Sequence, residues 1–176
     1  MAALQENQLL ISRLDTLAHQ DVLTGTANRR ALEDHLHNAV SRQASFELIM
    51  LDVDYFKRYN DHYGHQAGDV CLAEVAAVLK TAVRTSGDLV ARYGGEEFVV
   101  MLFGATPQGA EQIAERIQAN LKQAHLRHER SDVSDTVTVT VGIASSDGSK
   151  GAAQILAEAD AALYRAKEQG RNRWCR

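Results

Sequence analysis

One proline, two cysteines, no long apolar run and no excess of basic charge set the first limits on this chain of 176 residues. Cys71 falls within a helical apolar pattern and Cys175 stands apart from it, so both read as free thiols. That excludes a disulfide-stapled scaffold and fits a reducing compartment, so a cytoplasmic domain is expected. No stretch approaches the ~18 apolar residues of a membrane span, and the first residues lack the basic start and apolar core of a signal peptide. No membrane contact is expected of this domain. Lys and Arg number 19 against 23 Asp and Glu, for a net charge of -4, and no basic run exceeds Arg29-Arg30. Such a balance argues against polymeric nucleic acid as a partner. A small anion needs only two or three well-placed cations, so a nucleotide remains compatible. Neither a P-loop (GxxxxGKS or GxxxxGKT) nor the dinucleotide fingerprint GxGxxG is present, and a nucleotide would have to be held by metals and side chains instead.

What the chain does contain is enough for a core: 45% of it is hydrophobic, in a length that suits one domain with a short appendage. Leu10, Leu14 and Leu17 have helical spacing and predict an amphipathic helix over residues 1–20. It either packs on its own domain or links to something upstream. Residues 21–30 (DVLTGTANRR) break the pattern as a turn, and Asn28 is placed to cap a helix through Leu32, Leu36 and Val40. Residues 46–54 (FELIMLDVD) read as a buried strand ending in Asp52 and Asp54. Carboxylates there are costly unless paired, hydrated or metal-bound. Asp54 fits a helix cap, whereas Asp52 points to function.

Residues 55–69 (YFKRYNDHYGHQAGD) read as a recognition loop, in which the amide of Asn60 and the carboxylate of Asp69 match the donor and acceptor edge of guanine. His62 and His65 form an HxxH pair without a third ligand, which does not make a zinc site. A sheet-covering helix follows from Asp69 through Cys71, Val75 and Leu79. Residues 92–98 (RYGGEEF) separate two apolar runs, so they form a hairpin with Gly94 and Gly95 supplying the positive φ of its turn. Glu96 and Glu97 would repel by roughly 3 kcal/mol at ~5 Å in an effective dielectric near 20. They are either solvated surface acids or metal ligands. Thr106 and Pro107 start another helix, with Ile113, Ile117 and Leu121 inward. Residues 136–143 (TVTVTVGI) alternate as a strand with valines toward the core. A last helix carries Ile155, Leu156, Ala159, Leu163 and Ala166 and ends at Gly170. The cations around that end serve either the helix dipole or a triphosphate. Strands alternating with helices give an α/β or α+β sandwich built on one sheet.

Four stretches, residues 21–30, 52–69, 92–98 and 162–173 (ALYRAKEQGRNR), together resemble the GGDEF family of diguanylate cyclases from about Leu17 to Trp174. The resemblance implies an α+β fold: a central, mostly antiparallel five-stranded sheet flanked by helices, similar to adenylyl cyclase and polymerase palm domains. The helix of residues 1–20 would then be a signalling linker to a sensor and residues 21–176 the catalytic domain. It implies condensation of two GTP into cyclic di-GMP with release of two pyrophosphates, between two domains of a homodimer. Asp52, the Val53 carbonyl and Glu96 would hold two Mg²⁺ or Mn²⁺ with Glu97 beside them, and Glu96 would act as the base or position it. Asn60 and Asp69 would contact guanine with His65 as a nearby substrate contact, Lys57, Lys167 and Arg171 would contact the phosphates, and Gly94 and Gly95 would let the backbone approach the nucleotide. The family's RxxD product-inhibition site departs here: Asp88 and Arg92 remain, but Thr85 replaces its arginine and Arg84 lies one residue early. A Glu in the third position of the hairpin motif is a permitted form. A domain that binds GTP or cyclic di-GMP without turnover is the competing expectation, and a purely structural dimerisation domain leaves the base-edge residues unexplained.

Overall fold

The computed structural model describes residues 18–83 and 87–176. The predicted segment around Leu10, Leu14 and Leu17, and Arg84 and Thr85 of the inhibitory window, lie outside those residues. Strands β1 (Phe46–Val53), β2 (Leu89–Gly94), β3 (Glu97–Phe103), β4 (Val139–Ser146) and β5 (Trp174–Cys175) form one sheet in the order β2-β3-β1-β4-β5. Every pairing is antiparallel except that of β4 with β5. The mostly antiparallel five-stranded sheet is therefore present, although β5 is only two residues long.

The central strand explains the layers. Successive side chains of β1 point to opposite faces of the sheet, and here both faces are apolar, as a doubly covered strand requires. Ile49, Leu51 and Val53 join one buried cluster with Leu72, Val75 and Leu79 of helix α3 (His65–Ala82) and Ile117 and Leu121 of α4 (Pro107–Ala124). Phe46, Leu48 and Met50 join the other, with Leu32 and Leu36 of α1 (Arg29–Ser41) and Ile155, Ala159 and Leu163 of α5 (Ala152–Glu168). Caps fix where two of these helices begin. The Asn28 side chain accepts from Ala31 N at 3.0 Å, and Thr106 Oγ1 accepts from Gly109 N at 3.1 Å ahead of Pro107.

Several local expectations differ from the fold. Residues 55–69 are not a loop: helix α2 (Phe56–Tyr63) and the first turn of α3 occupy them, separated by Gly64 at φ +87°. The aromatic residues that looked like recognition groups pack here, with Phe56, Tyr59 and Tyr63 in ring contact along α2. The hairpin turn is Gly95-Glu96 and not Gly94-Gly95, because Gly94 is the last residue of β2, paired with Glu97, and only Gly95 has a positive φ, +52°. Asp54 does not cap a helix, since Tyr55 holds the N-cap position of α2 without a side-chain cap. Finally, β4 begins at Val139 and not at residue 136, and Thr140 on the face opposite its valines is also fully buried.

Gly142, in the middle of β4, lets α5 lie directly on the sheet. A Cβ there would stand 2.2 Å from the Ala159 carbonyl oxygen and 2.3 Å from Leu163 N. Those are backbone atoms of a packed helix and cannot rotate away. Gly142→Ala should therefore lower the stability of the fold by about 1–3 kcal/mol or more, measured from the urea midpoint at unchanged slope.

Candidate functional site

The site forms where β1, the β2–β3 hairpin, α2 and the C-terminal end of α5 meet. Asp52 is the Cα partner of Glu97 across β1 and β3, and Val53 N donates to the Glu96 carbonyl at 3.3 Å. These pairings bring the two acids of the hairpin to the end of β1. Asp52 is largely buried, and its carboxylate pKa is pushed up to about 6, mainly by burial. The Lys167 ammonium opposes that rise and the negative charges of Glu96 and Glu97 add to it. Lys167 Nζ lies 3.3 Å from Asp52 Oδ2. A cation of α5 thus partly neutralises an acid cluster that the fold otherwise leaves in mutual repulsion.

Beside this cluster is a cleft of about 390 Å³, within the range of small-ligand sites, between α2, α3 and the hairpin turn. Lys57, Asn60, His65, Asp69, Gly95 and Glu96 line it. Six residues singled out in the sequence therefore share one wall-to-wall space. Among the described residues, the Asn60 Oδ1 is buried without a hydrogen-bond donor. Leaving an acceptor in that state costs about 1–3 kcal/mol, a cost that a turn of the amide toward the cleft would relieve. Asp52, Val53, Glu97, Gly94, Lys167 and Arg171 are outside this cleft lining. Asp52, Val53, Glu97 and Lys167 adjoin it through the contacts above, whereas Gly94 sits at the hairpin with open space where a Cβ would be.

Arg171 belongs to a second cluster. Its guanidinium stacks over the Tyr55 ring at 4.8 Å, and the neighbouring Asn172 N donates to Asp54 Oδ2 at 3.2 Å. Asp54 is buried, accepting also from the hydroxyls of Thr138, at 2.7 Å, and Thr140. Behind α2, the buried His128 has Nε2 3.3 Å from the Tyr55 carbonyl. Burial, above all, lowers the pKa of this imidazole against the pull of the Tyr55 and Asp54 carbonyls. His62, the first residue of the HxxH pair, faces Glu129 at 3.4 Å instead of pointing with His65 into the cleft.

The turn of residues 21–26 supports the hairpin from the other side. Asp21 accepts from Thr24 N at 2.9 Å and Thr24 Oγ1 at 2.7 Å, and Arg92 Nη1 lies 3.3 Å from its carboxylate. Burial works against the Asp21 charge, but the Thr24 hydrogen bonds and the Arg92 guanidinium together hold its pKa below the ordinary value. Arg92 Nε donates to the Gly95 carbonyl at 2.9 Å, so one arginine ties the turn of residues 21–26 to the hairpin turn. At the far end of β2, the Asp88 carboxylate accepts from Phe103 N at 3.0 Å. The two surviving residues of the inhibitory window therefore each hold a piece of the sheet.

Residue reasoning passed over Gly68. A Cβ at that position of α3 would lie 1.8 Å from Asn60 Oδ1 and 2.9 Å from its Cγ, so the Asn60 amide occupies the space that a side chain would take. The glycine in GHQAGD was the available signal, since glycine in a helix interior is unfavourable unless a close approach requires it.

The donor set around Asp52 fits a hard divalent cation. It offers the carboxylate oxygens of Asp52, Glu96 and Glu97, and their repulsion is the charge imbalance that such an ion removes. Among the described residues no group of three or more His, Cys, Asp or Glu side chains is assembled for a metal, so ligand oxygens or water would have to complete the shell.

The family model described as "Diguanylate cyclase, GGDEF domain" matches residues 18–173. Diguanylate cyclase A of Treponema denticola is 38% identical over 146 residues, covering 81% of this chain and 38% of that protein. Diguanylate cyclase DgcP of Pseudomonas aeruginosa is 38% identical over 157 residues, covering 87% of this chain and 23% of that protein. The chain thus spans well under half the length of these relatives. Among solved structures, the coiled coil and GGDEF domain of DgcB from Caulobacter crescentus in complex with c-di-GMP superposes with a TM-score of 0.89 at 30% identity, covering 99% of this chain and 93% of that one. No helix of the described residues is long and apolar enough to cross a membrane.

The raised pKa of Asp52 predicts a specific pH dependence for the metal-free chain. The folded value near 6 exceeds the unfolded 3.8, so the folded state holds the proton longer and stability falls as pH rises from about 4 through 6. Asp52→Asn removes that loss. The variant should match the wild type near pH 4 and exceed it by on the order of 2 kcal/mol above pH 7, read from thermal or urea midpoints in the presence of a chelator.

Proposed function

Because the chain belongs to the GGDEF family of diguanylate cyclases, we propose that it condenses two molecules of GTP into cyclic di-GMP and two pyrophosphates. The observation that carries this reading is the single cleft that brings Asn60 and Asp69 together with Lys57 and Glu96. Guanine presents N–H donors along one edge, which an amide oxygen and a carboxylate accept, while adenine offers only one amino group there. Asn60 and Asp69 therefore read the base, with His65 beside them. Lys57, Lys167 and Arg171 hold the phosphates, and Gly94 and Gly95 leave room for the nucleotide at the hairpin.

Asp52, the Val53 carbonyl and Glu96 would hold two Mg²⁺ or Mn²⁺, with Glu97 beside them. When bound, these ions supply charge neutralisation at the triphosphate and on the departing pyrophosphate. The 3′-oxygen of one GTP attacks the α-phosphorus of the other, forming the O–P bond as the bond to the β-phosphate bridging oxygen breaks. Glu96 takes the hydroxyl proton or positions the group that does. One cleft holds one GTP, so each bond requires a second copy facing the first, and the active species is a homodimer. The coiled coil joined to the DgcB domain supports reading residues 1–20 as the connection to a sensor. The domain works in the cytoplasm, where GTP is available.

The deciding experiment is incubation with GTP and Mg²⁺ over a range of protein concentrations, with chromatographic detection of products. Cyclic di-GMP formed at a rate that rises faster than linearly with protein is expected. GTP binding without product, even in a forced dimer, would favour the regulatory binding module. Glu96→Gln should abolish turnover in a folded protein, and a wild-type rate would remove Glu96 from the chemistry.

Base selection provides a separate check. Asn60→Ala and Asp69→Ala should each lower the preference for GTP over ATP by about tenfold, the size of one well-made hydrogen bond lost to an unpaired group. Gly68→Ala should do the same by displacing the Asn60 amide, while changing stability by less than about 1 kcal/mol because alanine favours the helix. Competition binding of the two nucleotides measures all three.

A further inference from the structure

Tyr55 has a backbone conformation that its residue type avoids. Its φ is +55°, in the left-handed region, at the junction between β1 and α2. A bulky aromatic residue there is a genuine outlier, and such outliers persist where the surroundings fix them, often at functional sites. The surroundings here are unusual. The guanidinium carbons of Arg58 and Arg171 stand 4.5 and 4.8 Å from the centroid of the Tyr55 ring. Both planar cations thus use the same aromatic ring.

The two cations differ in their other partners. Arg58 is held from outside by Asp132, at 2.7 Å. For Arg171, among the described residues, no carboxylate stands within 4.0 Å and its own backbone is left-handed, at φ +63°, as is that of Asn172, at +46°. Asn172 N is fixed by Asp54 Oδ2 and Thr140 Oγ1, which puts the Arg171 segment beside Tyr55 without specifying where the side chain points. The aromatic face supplies that specification. A π-face attracts a guanidinium without neutralising it or occupying its N–H donors, unlike a carboxylate, so a cation stored this way remains able to bind an anion.

Resting on the functional reading above, we propose that Tyr55 is a positioning residue for the triphosphate: its ring, braced by Arg58, holds Arg171 aimed at the phosphates before the nucleotide arrives. The reverse arrangement, a ring that withdraws Arg171 from the phosphates, predicts the opposite response to ring electronics.

The test varies the ring's electrostatics at nearly constant shape. Tyr55 is replaced by phenylalanine and by its mono-, di- and trifluorinated forms, and the dissociation constant of an α,β-methylene analogue of GTP is measured with Mg²⁺ in the full chain. Fluorine drains the π-face. Affinity should fall stepwise, by about tenfold across the series, with Tyr55→Phe itself within about twofold of wild type. In an Arg171→Ala background the series should become flat, and in an Arg58→Ala background it should retain a slope. A merely structural role for Tyr55 does not depend on Arg171. A flat series in the otherwise native chain, a slope that survives Arg171→Ala, or affinity that rises with fluorination would each overturn the proposal. Absence of analogue binding by the unsubstituted chain would overturn the functional reading and this inference with it, a result distinguishable from a flat series on a binding-competent protein.

Discussion

The buried carboxylate of Asp54 joins parts of the chain far apart in sequence. It sits just beyond β1 and accepts from Thr138 and Thr140 around the start of β4 and from the backbone of Asn172 beyond α5. A carboxyl group at this depth is tolerated only when its lone pairs are used, and the donors it recruits come from two other stretches of the chain. The consequence is positional. Asp52 two residues before it, Tyr55 one residue after it and Arg171 beside Asn172 all take their places from this one contact. Removing any single donor would leave the carboxylate under-satisfied, so the junction is cooperative: it forms as a unit or not at all.

Around that junction the protein concentrates groups that are unfavourable on their own. Asp52, Glu96 and Glu97 repel one another, Asn60 buries an acceptor without a donor, and Tyr55, Arg171 and Asn172 have left-handed backbones. The doubly covered sheet offsets these costs. Its central strand is apolar on both faces, and the two clusters packed against it supply the stabilisation that the site gives up. Arg92 extends the same logic to the hairpin, where it holds the Gly95 carbonyl while paired to Asp21.

Much of this was legible in the sequence because it follows from periodicity and from side-chain chemistry. The apolar run of residues 46–53, the Asn28 and Thr106 caps and the inward faces of the helices depend on local pattern, and the fold has them where the pattern points. Five of the site residues proposed from the motifs line one cleft with Glu96 because three nearby elements carry them. What was not legible depends on contacts distant in sequence. Asp54 looked like a helix cap because its partners lie 84 and more residues away. The 55–69 stretch looked like a loop because its aromatic and polar residues mask a short helix whose packing partner, the segment around His128, comes much later in the chain. The turn moved by one residue because the bulge between Arg92 and Gly94 shifts the register, and no single-residue propensity encodes that.

The sheet's two edges bear on how copies of this domain can meet. On one side, Ala27 lies against β2, exchanging hydrogen bonds with Val90 and Arg92, and on the other the edge is β5, only two residues long. An edge that is already partnered, or too short, cannot accept a neighbour's strand. A continuous intermolecular sheet is therefore disfavoured at both ends of the described sheet. Loops and helix faces can separate and rejoin without breaking a backbone ladder, the reversible kind of contact that the proposed reaction between two clefts calls for.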